Sequence, residues 1–417
     1  VRPTRPAEAV RRARRRGAPR GWRRPAAVLT ALVAVVGTAS MAGPVHVSAV
    51  PPCALPRSEA HHSLGLDTWN TSYVRPEGRV DAVMVFLSFP DSRPAATPQR
   101  LVDDHFPATA DFFSRASYGK LDLRVHPVRE WIEMPAASRD YAIARDWAAD
   151  RRAAFLDDAV AVTDRRVDFS RYDLVYLVAD PGAPGVDSDA TKVVNLRRPI
   201  PVDGVELRRM VTVFERYPAD RNVLAHETGH VFDLPDLYHR PEDGKGDWDT
   251  HVGDWDLMGS QFGLAPEPFG WHKWKLGWLS RRQVECVEPA GGALYTLRPL
   301  ADPDPGAGGR EIRLLAVRTG PREALAIEVR EPLGNDIAAC SSGVLVYRVR
   351  SDTASAAGPV ELLDAHPGTA ACPTASVQPE LADAPLGEGE SLTVDGVRVT
   401  AVARTGSGDW TVRITGH

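Results

Sequence analysis

An α+β fold is predicted for this 417-residue chain: a mixed twisted sheet with an active-site helix, followed by a small β-sandwich-like part. Three observations carry the prediction. Apolar strand-like runs alternate with helical stretches up to about residue 230, a helical motif with two histidines closes that region, and short alternating strands fill the chain after about residue 283. The implied organisation is a leader over 1–49, an N-terminal segment over 50–79, a catalytic domain over 80–282 and a β-rich domain over 283–417.

The leader reads as a secretory signal. Arginine-dense "VRRARRRGAPRGWRRP" precedes the apolar "AAVLTALVAVVGTASMA". Small residues at Val47-Ser48-Ala49 favour cleavage after Ala49, with Ser40-Met41-Ala42 as a competing site. A membrane anchor is the weaker reading, because a span needs about 18 apolar residues, slightly more than this run supplies. With the ten arginines and one glutamate of 1–49 set aside, 40 basic and 54 acidic side chains remain, a net charge of −14. Such a surface is not expected to bind nucleic acid or, after signal cleavage, a membrane. A secreted monomer is expected.

Within the catalytic part, "DAVMVFLSFPD" (81–91) is a buried strand stopped by Pro90. "DFFSRASYGKLDLRVHPV" is the end of a helix, a turn at Gly119 and an alternating strand from Lys120. Residues 142–163, rich in alanine and free of proline and glycine, predict a helix. "YDLVYLVAD" (172–180) is a second buried strand, and "VELRRMVTVFERY" (205–217) alternates as a third. Beyond residue 283, "ALYTLRPL", "EIRLLAVRT", "ALAIEVRE", "GVLVYRVR", "SLTVDGVRVTAVART" and "DWTVRITGH" are short strands parted by turn residues, as in a sandwich or barrel.

Four cysteines follow the leader, an even count that suits two disulfides in an exported chain. Three pairings are possible. Cys340 and Cys372 bracket a strand-like segment and are paired here, which leaves Cys53 with Cys286.

The chemistry concentrates in "HETGHVFDLPDLYH" (226–239). Residues four apart share a helix face, so His226 and His230 can direct imidazoles at one Zn2+, with Glu227 beside it as a general base. Zinc lowers the pKa of a bound water towards about 7, where a carboxylate can take its proton. A third protein ligand is required. Glu242 and Glu267 are flanked by prolines rather than set on a helix, whereas Pro235 forces the chain to reverse and brings Asp236 back to the site. His239 and then Asp233 are the next candidates.

The chain resembles the immune inhibitor A family of secreted bacterial metallopeptidases, a branch of the metzincin-like zinc peptidases. "HETGHVFDLPDLY" is similar to that family's HExxHxxGxxD pattern, "VMVFLSFPD" and "FFSRASYGKLDL" to its first strand and Ser-Tyr-Gly-Lys segment, "VGDWDLMGS" to its methionine turn, and "WHKWKLGWL" to its next helix. The resemblance spans about residues 80–280 and implies a secreted zinc endopeptidase acting on proteins or peptides. It places Met258 beneath the metal as an apolar floor. Two departures stand out: Asp233 occupies the family's glycine position, and Ser260 stands where some relatives carry an oxyanion-steadying tyrosine, for which Tyr238 and His251 are candidates here.

Weaker signals remain. "PEDGKGDWDTHVGDWD" (241–256) lacks EF-hand spacing, so a solvated acidic loop is favoured over a structural Ca2+ site. His61-His62 reads as surface or packing, and Trp271, Trp274 and Trp278 as a core face at helical spacing. A zinc amidase acting on cell-wall peptides and an exported surface-binding protein with a degenerate zinc site are the alternative functions.

Overall fold

The computed structural model describes residues 51–216, 222–241, 247–303 and 311–416, all within one compact unit. The expected signal lies outside the described residues. The architecture is α+β, mostly sheet with few helices.

The first sheet is built from β1 (Gly78–Ser88), β2 (Leu121–Glu133), β3 (Leu174–Ala179), β4 (Lys192–Val202) and β5 (Val205–Val213), in the order β2-β1-β3-β5-β4. β1 runs parallel to β2 and β3, and β3 parallel to β5; β4 closes one edge antiparallel. Central parallel strands are covered on both faces, which is why β1 and β3 read as unbroken apolar runs. Ala82, Met84 and Phe86 face one core, and Val83, Val85 and Leu87 the other.

Helices α1 (Pro98–His105) and α2 (Ala108–Ala116) lie on the first face. After α3 (Ser138–Tyr141), α4 (Ala149–Thr163) covers the second with Phe155, Leu156, Ala159 and Val160. The helix expected from residue 142 therefore begins at Ala149. Ala142 caps α3 in a left-handed conformation (φ 46°), and Ile143 is taken up in a bridge to Val186.

Strand β4 is absent from the sequence expectations because Pro199 and Pro201 interrupt its pattern. An edge strand tolerates proline, and the register shifts between Asn195 and Ile200. Its position matters, since it runs beside α5 (Val223–Val231), the helix that carries the histidine motif.

The remainder forms two packed sheets. One comprises β6 (Val284–Cys286), β8 (Leu314–Arg318), β9 (Glu323–Arg330), β10 (Gly343–Arg350) and β11 (Val360–Leu362), ordered β11-β10-β9-β8-β6; the other comprises β7 (Leu294–Leu297), β12 (Ser391–Val394), β13 (Val397–Arg404) and β14 (Trp410–Gly416), ordered β12-β13-β14-β7. Leu325, Ile327 and Val329 of β9 meet Val399, Val412 and Ile414 between the sheets. The alternate residues, Ala324 and Ala326, share a core with Met84, Phe86 and α5. The change of character near residue 283 thus marks a change of sheet, with an apolar core continuous across it.

Helix α6 (Gly270–Lys275) lies in that seam with Trp271 fully buried and Trp274 partly so, and Trp278, also fully buried, follows beyond the helix end. Two disulfides, Cys53–Cys286 and Cys340–Cys372, join the expected partners and suit an oxidising compartment. Among the described residues no helix is long and apolar enough to cross a membrane.

Candidate metal centre

Every residue of α5 is buried, so the helix is held by packing rather than by propensity. It ends in a Schellman turn: the Asp233 amide donates to the His230 carbonyl (3.1 Å), and the Leu234 amide to the Gly229 carbonyl (3.0 Å). Asp233 adopts φ 65°, the left-handed conformation that glycine takes without strain.

The turn orients one histidine, and the segment before Met258 orients the other. His230 Nδ1 lies 2.8 Å from the Leu234 carbonyl and His226 Nδ1 2.9 Å from the Leu257 carbonyl. A carbonyl can only accept, so each Nδ1 carries a proton and Nε2 is the nitrogen left to offer a lone pair to an ion once it gives up its own proton. Both Nε2 atoms face one place. Asp236 Oδ1 sits 3.2 Å from His226 Nε2 and 3.1 Å from His230 Nε2, and the three ligand atoms all lie within 4.8 Å of one another. Two imidazoles and one carboxylate, with a side open to a cleft, fit a zinc site that keeps a position for water.

The three groups act strongly on one another. Burial penalises charge at all three residues, yet the imidazoles hold the Asp236 carboxyl well below the ordinary range, and the Asp236 charge lifts His230 to about 9. Glu227, mostly buried, is raised by burial, against the pull of the two histidines. Its Oε2 accepts from the Val193 amide of β4 at 2.6 Å.

Met258 is fully buried beneath the helix. A Cβ at Gly229 would come within 2.6 Å of its sulfur, so the glycine of HETGH makes room for it. The methionine turn is itself clamped: Asp256 accepts from the amides of Met258 and Phe269 (2.7 Å each) and faces His272 Nδ1 at 2.8 Å. The Met258 carbonyl accepts from the Leu237 amide, tying this turn to the Asp236 segment.

A cleft of about 860 Å³ opens over the three residues. Glu227, Val193, Tyr238, Ser260 and Phe262 line it. Burial, followed by the charges of Asp236 and Glu227, pushes the Tyr238 hydroxyl upward and keeps it a proton donor.

Other expectations separate from the site. His251 is outside the cleft lining; its ring meets His239 edge-on at 5.5 Å and crowds Gly358. His239 is bridged to Ala357. Glu267 is buried against Lys273, and Glu242 lies outside the described residues. Residues 242–246 of the acidic loop are also outside them; of the rest, Asp254 accepts from Leu264 and Val377 amides and Asp256 braces the methionine turn. Among the described residues, His226, His230 and Asp236 form the metal-competent group. The Asp236→Ala variant should therefore lose stoichiometric zinc while His239→Ala retains it, as metal analysis of dialysed protein would show.

Sequence reasoning missed the surroundings of Asp233. Its carboxylate is fully buried against Arg57 Nη2 (2.6 Å), His62 Nδ1 (3.0 Å) and Lys275 Nζ (3.2 Å). His62 also stacks on His230, with ring centroids 5.5 Å apart. His62 is thus packing, and packing against the site, while His61 stays at the surface.

No family model and no curated protein matches the chain. Among solved structures it is similar to wild-type OgpA from Akkermansia muciniphila, with 11% identity over 69% of this chain and 93% of that one, at a TM-score of 0.27.

Proposed function

We propose that this protein is a secreted zinc-dependent endopeptidase of the metzincin-like, immune inhibitor A type. The observation that carries the reading is the convergence of two Nε2 atoms and Asp236 Oδ1 beside Glu227, at the floor of a cleft bordered by an edge strand. Zinc bound there would supply Lewis acidity, polarising a substrate carbonyl and making water nucleophilic near neutral pH.

The chain's own groups do the rest. Glu227 takes the proton of the attacking water and returns it to the departing amine as the carbon–nitrogen bond breaks. Tyr238 donates to the developing oxyanion. An extended substrate pairs its backbone with the free edge of β4, where the Val193 amide already points at Glu227. The polar and apolar walls around Ser260 and Phe262 receive side chains.

Incubating the zinc-loaded protein with denatured casein beside purified cell wall tests this directly. Peptides released from casein, stopped by a chelator and restored by zinc, are expected. Fragments from cell wall alone would make the protein an amidase, and none from either would leave a binding protein with a degenerate site.

A further inference from the structure

The third ligand is held from a distance. Asp236 sits on a short segment that follows α5, and besides the Met258 carbonyl that segment is held by the turn between β10 and β11, about 120 residues further on. Ser355 Oγ accepts from the Asp236 amide at 2.9 Å and donates to Asp236 Oδ2 at 2.9 Å. The Ala356 amide donates to the Asp236 carbonyl (3.1 Å), and His239 bridges to Ala357. The Ser355 amide is used as well, donating to the His61 carbonyl at 3.1 Å.

The two oxygens of Asp236 therefore have separate tasks. Oδ1 faces both Nε2 atoms, while Oδ2 is occupied by a hydroxyl donor. A carboxylate free to rotate could close on an ion with both oxygens and fill the position that water needs. One oxygen engaged by a fixed donor leaves the other as the ligand.

We propose that Ser355 is a positioning residue of the metal centre, which holds Asp236 as a one-oxygen ligand, so that the β-rich C-terminal part completes the site. The inference rests on the zinc reading above. It goes beyond that reading in making the C-terminal sheet a part of the metal site.

Zinc affinity by chelator competition, visible absorption of the Co2+-substituted protein and melting of the metal-free protein should be compared for the parent, Ser355→Ala and Ser355→Thr. Ser355→Ala should bind zinc about 10- to 100-fold more weakly. Its Co2+ bands should lose intensity as Asp236 closes with both oxygens and coordination rises above four. Threonine, which keeps the hydroxyl, should restore both. Alanine binding within about two-fold of the parent, with an unchanged Co2+ spectrum, overturns the proposal. So does a threonine variant that recovers the parent's melting but not its affinity. If the parent itself takes up no zinc, the zinc reading fails with it, an outcome separate from an indifferent Ser355.

Discussion

Glu227→Gln should retain one zinc per chain and melt with the parent, while peptide release falls by about 10²–10⁴-fold, the range for loss of a general acid–base group. The geometry makes glutamine the informative choice. Glutamine keeps the shape and still offers an oxygen to the Val193 amide, so the edge of β4 and the buried end of α5 stay in place. Only the capacity to take and return a proton disappears. Replacing a carboxylate whose ionisation burial opposes also removes that cost, so the melting temperature should not fall. Casein hydrolysis, metal content and a thermal melt on the same sample suffice. A variant that digests casein at the parent's rate, zinc in place, would exclude Glu227 as the base.

The histidine motif and the strands that build its scaffold could be read in the sequence because each follows from a local pattern. HExxH sets His226 and His230 on one face by helical spacing, and β1, β3 and most of the C-terminal strands show apolar runs or alternation with clear stops. Pro235 made the reversal towards Asp236 legible, and the observed turn ends the helix two residues earlier through Asp233. What escaped was non-local or irregular. The prolines of β4 hid the strand that borders the cleft, although proline is what an edge can accommodate. Ser355 lies 119 residues from Asp236, and Arg57 and His62 lie more than 170 residues from Asp233. No periodicity signals a contact made by the return of a distant chain segment. His251 shows the converse error: proximity in sequence to the methionine turn did not bring it into the cleft.

Asp233 replaces a glycine in the pattern the chain resembles, and the network around it predicts that restoring glycine will not stabilise the protein. Left-handed backbone costs a non-glycine residue about 1–2 kcal/mol, which Asp233→Gly would recover. Against this stands a buried carboxylate that compensates Arg57 and Lys275 and accepts from His62; breaking such an arrangement by deleting one partner costs about 3–5 kcal/mol. The expected order of stability is therefore parent, then Asp233→Gly, then Asp233→Ala, which loses the charge and keeps the strained backbone. Both variants should also loosen His230, since the Leu234 carbonyl that orients its ring follows directly on this turn. The pH dependence has a definite sign. Burial opposes ionisation of Asp233, but the hydrogen bond with His62 and the charges of Lys275 and Arg57 outweigh it and hold the carboxyl at about 2. Its contribution is complete above the ordinary carboxylate range and is lost as pH falls towards 2. His62, pushed down to about 3 chiefly by burial, stays neutral in the fold, while the unfolded chain takes up a proton below the ordinary imidazole value of 6.5. Stability should thus already decline as pH drops below about 6.5, and faster below about 4, when Asp233 joins it. Because the groups are buried, added salt should shift this profile little. Chemical denaturation of the three proteins between pH 7 and pH 3 measures every step, and a glycine variant more stable than the parent at neutral pH would show that Asp233 is tolerated by the fold rather than used by it.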